Sequence, residues 1–255
     1  MVAVLLVAGC GSGSPDPKMN VTYQKARSGP ALVGSSLMSR SKLLERVAER
    51  INATMALPYD LGLVGAQCGE ANAFWNFAEK KITICYEDAD LSLRSFQRAG
   101  DPDPIPAAIN AEMATFYHEL AHATIDIYDL PITGREEDAS DQLVVFMLLE
   151  PDENGVASPE AEGAVKDYAR MFEQYAAGQD VLVAADFAAK HSINQTRMYN
   201  ILCWFYGHDP GEHAGLVTSG LLPQDRARGC ADEYRQLHKS WSKLLEPYLE
   251  HAEHG

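Results

Sequence analysis

The sequence predicts an α+β fold: a single, mostly helical domain with a small antiparallel sheet near the N-terminal side of its central helix. Three observations carry that prediction. Residues 107–130 run without Gly or Pro and place apolar side chains at helical spacing, and further stretches downstream do the same. Strand-like alternation is confined to one early region, residues 60–87. The 255 residues contain no internal repeat and no long low-complexity block, so one sizeable core is expected.

The first eighteen residues stand apart from the domain, which spans 19–255. "MVAVLLVAGC" is a short apolar run ending in Val7-Ala8-Gly9-Cys10, and it resembles the lipobox of a bacterial lipoprotein signal, in which the cysteine is lipidated. "GSGSPDP" then reads as a flexible tether. The run is too short to cross a bilayer as a helix, and no basic residue precedes it. The expectation is an exported chain, anchored through a lipid on Cys10 at the periplasmic or extracytoplasmic face of the cell envelope.

From Ser41 to Leu57, Leu44, Val47, Ala48, Ile51 and Met55 form a helical stripe ended by Pro58. "LGLVGAQCG" follows, and then "NAFWNFAEKKITICYED", where Ile82, Ile84 and Tyr86 alternate with Thr83 and Cys85 across a turn at "AEKK". Pro102, Pro104 and Pro106 mark a loop before the long helix, whose apolar positions include Ile109, Met113, Phe116, Leu120 and Ile127. "PITG" breaks it. A second helix is expected from Glu136 to Leu149, a third over "PEAEGAVKDYARMFEQYAA", and two more over "NQTRMYNILCWFYG" and "DEYRQLHKSWSKLLEPYLE". Trp204, Phe205 and Trp241 belong to the core.

A formal charge of -15, with 21 Lys and Arg against 36 Asp and Glu and no basic run, excludes nucleic acid as a partner. With Cys10 set aside, Cys68, Cys85, Cys203 and Cys230 remain, an even number that suggests two disulfides in an oxidising compartment. Of the three possible pairings, Cys68 with Cys85 and Cys203 with Cys230 are favoured because each closes a short segment. No CxxC spacing supports zinc ligation by these cysteines.

The chemistry resides in "YHELAHA", residues 117–123. Residues four apart share a helix face, so His118 and His122 can direct two imidazoles at one ion while Glu119 lies beside a water at that ion. Zinc accepts such neutral nitrogen ligands in a tetrahedral site with one open position. Composition alone yields HExxH in on the order of one or two chains in a hundred, so a third ligand is required. The Gly and His that extend this motif in metzincins are replaced by Ile125 and Tyr128, which excludes that class. "GREEDASDQ" offers the alternative. Glu137 and Asp141 form ExxxD on one face, Glu137 suited to the metal and Asp141 to a hydrogen bond with a ligand histidine. Glu136 and Asp138 are alternative third ligands. Acidic residues do favour any helix's first turn, but Asp141 lies beyond it. A further donor for a developing oxyanion could come from Tyr199, Tyr206, His208 or His213, each more simply a packing or surface residue.

"FYHELAHATID", "LPITGREEDASDQ", "CGEANAFWNFAEKKITICYE", "RMYNILCWFYGHDP" and "LPQDRARGCADEY" together resemble a bacterial family of exported metallopeptidase-like proteins, similar in outline to gluzincins and long catalogued as a domain of unknown function. The resemblance covers most of residues 40–250. It implies a zincin-like fold, ligands His118, His122 and an acid from "REED", and the pairing of Cys68 with Cys85. The expected activity is peptide-bond hydrolysis of a peptide or protein substrate with Zn2+ as cofactor, Glu119 as general base and an edge strand within "NAFWNFAEKKITICYE" beside the substrate. The competing expectation is a non-catalytic cell-envelope lipoprotein that keeps the fold and binds a protein partner.

Overall fold

A computed structural model describes residues 16–150, 157–178 and 181–249. Cys10 and the signal-like run lie outside the described residues. The chain folds in the order β1 (Met19–Tyr23), α1 (Gly29–Arg40), α2 (Leu43–Thr54), β2 (Leu61–Ala66), β3 (Ala73–Asn76), β4 (Lys81–Cys85), α3 (Tyr86–Arg98), α4 (Pro104–Ile127), α5 (Glu136–Leu149), α6 (Pro159–Ala177), α7 (Ala184–Ala188), α8 (Asn194–His208), α9 (Gly215–Thr218), α10 (Gln224–Ala227) and α11 (Cys230–Leu245). The α+β class and the preponderance of helix agree with expectation.

The sheet differs in direction. Its order is β1-β2-β4-β3, and β1 with β2 and β2 with β4 pair in parallel; β3 with β4 alone is antiparallel. The expectation of an antiparallel sheet is therefore corrected to a mixed one. β1 and β2 run parallel because the chain leaves β1 through α1 and α2 before returning as β2, and β2 and β4 run parallel because β3, which pairs with β4 at the outer edge, comes between them in the chain. β2 is nearly all apolar and buried along both faces, as a central parallel strand should be.

α1 and α3 pack so closely that a Cβ on Gly34 would overlap the Tyr86 carbonyl, so glycine is required there. α4 is the axis of the molecule. It packs against α3, α5 and α6 and, on its remaining side, against β3 and β4. Pro104 and Pro106 sit in its first turn, where a missing N–H costs nothing, so the helix begins earlier than the proline loop suggests. Gly134, at φ 107°, lies in the turn before α5, which returns along α4. α6 and α8 complete the helical layer, and Trp204, Phe205 and Trp241 lie in its core.

Both sequence-local disulfides are present. Cys68 joins Cys85 with Cα atoms 5.5 Å apart, and Cys203 joins Cys230 at 5.0 Å. The first ties the loop before β3 to the start of α3, where Glu87 also accepts the backbone N–H groups of Cys68 and Gly69 at 3.0 Å each. The second joins α8 to α11 where they nearly touch, since a Cβ on Gly207 would overlap the Cys230 carbonyl. Among the described residues, no helix is long and apolar enough to cross a membrane.

Candidate metal centre

α4 presents His118, Glu119 and His122 to one cavity of about 470 Å³, because these positions lie on the helix face left between α5, α6 and the outer edge of β3. α5 meets this face with its first turn. Its N-terminus places Glu137 opposite both imidazoles: Oε2 is 3.1 Å from His118 Nε2 and 3.4 Å from His122 Nε2. His118, His122 and Glu137 each offer one ligand atom, all within 4.8 Å of one another.

That spacing can be tested against an ion. Bonds of about 2.0–2.1 Å in a tetrahedron put neighbouring ligand atoms about 3.3 Å apart. Both edges from Glu137 Oε2 match and the remaining edge lies within 4.8 Å, so the donor set of two imidazole nitrogens and one carboxylate oxygen fits a metal of zinc's size.

The other acids of "GREED" sort themselves by position. Glu136, 46% exposed at its side chain, contacts His122 through Nδ1 at 2.6 Å, the ring nitrogen remote from Glu137. Asp138 accepts a hydrogen bond from Ser192 Oγ at 2.7 Å and is absent from the cluster.

Behind the ligands lies a buried network. His118 Nδ1 is 2.9 Å from Asp141 Oδ1, and the same oxygen accepts from the Tyr168 hydroxyl at 2.9 Å. Arg197 donates to both Asp141 oxygens, Nε to Oδ2 at 2.7 Å and Nη2 to Oδ1 at 2.6 Å. Burial opposes the Asp141 charge, but Arg197 and then His118 outweigh it and hold the carboxyl below the usual carboxylate range. For His118, burial likewise opposes the charge, and hydrogen bonds to Asp141 and Glu137 overcome it, pushing the imidazole up to about 9.

Glu137 gathers further donors besides His118 and His122. Lys190 Nζ lies 2.7 Å from Oε1 and His191 Nε2 lies 2.8 Å from Oε2. Burial again opposes ionisation of Glu137, and its hydrogen bonds with His118, His122, His191 and Lys190 hold it far below the usual range. Lys190, His191 and Arg197 had no signal in the sequence, since "AKHSINQTR" shows neither motif nor helical spacing with "HELAH", and Tyr168 was one aromatic of the helix over "PEAEGAVKDYARMFEQYAA". By contrast, Tyr199, Tyr206, His208 and His213 do not line this cavity. His213 is stacked on Phe205 at 3.9 Å, a packing role.

Glu119 points along the cavity. Its Oε2 accepts the backbone N–H of Trp75 at 3.0 Å, and Trp75 belongs to β3, the edge strand of the sheet. A second tie, from Trp75 Nε1 to Asp126 Oδ2 at 2.7 Å, fixes the strand against α4. The strand expected beside the site is therefore there, with the outward N–H of Trp75 facing the cavity.

A family model described as "Putative metallopeptidase" matches residues 23–245, and the chain belongs to that family. Membership supports a peptidase-type function in general terms and with it a metal at the His118, His122 and Glu137 cluster. No curated protein and no solved structure matches the chain significantly.

Proposed function

We propose that the chain, a member of this metallopeptidase family, is a zinc-dependent peptidase held by His118, His122 and Glu137, with Glu119 as its general base. The observation that carries the reading is the pair of tetrahedral edges, 3.1 and 3.4 Å, from one Glu137 oxygen to two imidazole nitrogens presented by a single helix.

Bound there, zinc would acidify a water and polarise the scissile carbonyl. The protein's own groups supply the rest. Asp141 holds the proton on His118 Nδ1, which leaves Nε2 to face the ion; Arg197 and Tyr168 hold Asp141. Glu119 is not one of the clustered ligands, which frees its carboxylate to take the water's proton as the oxygen attacks the carbonyl carbon. As the C–N bond breaks, Glu119 returns that proton to the leaving amine, so no proton is gained or lost. Extended substrate would lie along β3, exchanging main-chain hydrogen bonds with its outer edge. Trp75 N–H, now donated to Glu119, would be free to turn to such a substrate. His191, 52% exposed at its side chain on the cavity wall, would serve as the donor to the developing oxyanion once it leaves Glu137 Oε2.

Two disulfides fit an oxidising compartment, which supports an extracytoplasmic protein; a lipid on Cys10 would hold it at the envelope. The test is a comparison of wild type and Glu119→Gln on a peptide library: cleavage by wild type with loss in the variant is expected, and retained cleavage in Glu119→Gln rejects the base.

A further inference from the structure

Beyond Glu119 the cavity reaches another carboxylate that peptide hydrolysis does not require. Asp88, in the first turn of α3, lines the cavity together with Glu119, Thr115 and Met171. No described donor hydrogen-bonds to it and no cation offsets it; burial, and then the charge of Glu119, push its carboxyl up to about 6. Behind it stands Glu112, on the same face of α4 as Thr115 and Glu119. Glu112 is 0% exposed, accepts Ser92 Oγ through Oε1 at 2.7 Å, and leaves Oε2 without a partner. The cations of the site are committed elsewhere, Lys190 to Glu137 and Arg197 to Asp141.

Desolvated carboxyl groups placed together tend to hold their protons, and they ionise fully only when a positive charge arrives beside them. One end of this cavity is open to substrate, so the missing charge can come with it. Met171, Phe172 and Tyr175 of α6 add an apolar wall suited to the methylene stem of a long basic side chain.

We propose that Asp88, with Glu112 behind it, is a specificity-determining residue that receives an ammonium or guanidinium group of the substrate. The peptides this site takes then carry a positive charge next to the bond to be cut, on a Lys or Arg side chain or on a free α-amino group. This inference rests on the peptidase reading of the cavity and adds its substrate class.

The experiment is calorimetric binding to the zinc-loaded Glu119→Gln chain, which holds peptides without cutting them. Four hexapeptides share one sequence and differ only in a central Lys or norleucine and in a free or acetylated N-terminus. At least one positive group, in the side-chain arm or the α-amino arm, should tighten binding about tenfold or more. Adding Asp88→Asn should bring the preference to near unity, and adding Asp88→Lys should turn it towards a central Glu. Melting curves establish that each variant folds, and Glu112→Gln, which should weaken the preference without touching ligand, serves as a second variant. Equal binding of all four peptides, no binding of any, or a preference that survives Asp88→Asn overturns the proposal. The two readings fail separately. Cleavage by wild type without charge preference rejects this inference alone, whereas charge-selective binding through Asp88 without cleavage by wild type rejects hydrolysis alone.

Discussion

Arg197 grips both carboxylate oxygens of Asp141, at 2.7 and 2.6 Å, inside the helical layer, with the Arg197 side chain 11% exposed and that of Asp141 3% exposed. This pair connects α8 to α5, and Asp141 extends it to His118. Replacing Arg197 with Met removes the main counter-charge of a buried carboxylate and leaves it only His118 and the Tyr168 hydroxyl, a loss of about 3 kcal/mol. Thermal or urea unfolding should show it as a large drop in stability. A change below about 1 kcal/mol would mean that water reaches Asp141 and that the pair is not truly buried.

Asp141→Asn keeps the shape and removes the charge that orients His118. Zinc affinity should weaken about 10- to 100-fold, as is typical when the partner of a ligand histidine is altered. Competition with a fluorescent chelator measures it. Unchanged affinity would place Asp141 in a purely structural role.

If Glu119 is the general base as proposed, Glu119→Gln should lower peptide cleavage by about 10²–10⁴-fold while zinc content stays at the wild-type level, because such a residue moves a proton without holding the metal. Metal analysis and turnover on one preparation separate the two effects. Loss of zinc in this variant would mean that Glu119 helps to bind it.

Most of the residues that gather at the candidate site could be read from the sequence because their spacing is local. HExxH on one helix and ExxxD on the next need only helical periodicity and a turn, and α5 begins at Glu136 and ends at Leu149, as expected. The disulfides were legible for the same reason. What escaped was non-local or unpatterned. α1 buries only Ala31, Gly34 and Met38, too few to form an apolar stripe that betrays a helix, and without α1 the crossover that makes β1 a parallel partner of β2 could not be seen. α3 buries Asp90, Ser92 and Ser95 beside its apolar residues, which blurred its periodicity into the preceding strand. Lys190, His191 and Arg197 arrive at the site from a segment more than fifty residues beyond Glu137, and only the tertiary fold brings them there.

Glu112 gives stability a pH dependence of defined sign. Burial first, and then Asp88, raise its carboxyl well above the ordinary glutamate value of 4.5, with Ser92 opposing in part. A raised folded-state pKa means the native state keeps a proton that the unfolded chain releases, so the stabilisation is full below about pH 4.5 and fades as pH rises. Asp88, pushed up to about 6, adds a decline of the same sign between about pH 4 and 6. Glu112→Gln should therefore flatten the fall in melting temperature as pH rises above about 4.5. A slope equal to wild type would show that Glu112 does not titrate differently on folding.

Removing the Cys203–Cys230 bridge by a double Ser substitution should cost about 2–5 kcal/mol, read by chemical unfolding, because it frees α11 from α8. Replacing Cys68 and Cys85 should also disturb the site, since that bridge fixes the loop leading into β3 and so the strand that meets Glu119. A double Ser variant at 68 and 85 with wild-type turnover would remove the strand from the account.

The most direct measurement is zinc stoichiometry with X-ray absorption at the zinc edge, on wild type, Glu137→Ala and Glu136→Ala. One zinc per chain is expected, surrounded by imidazole nitrogen and carboxylate oxygen without sulfur, retained in Glu136→Ala and lost in Glu137→Ala. A full zinc complement in Glu137→Ala, or a wild-type chain that takes up none, would contradict the claim that these two helices build one metal site.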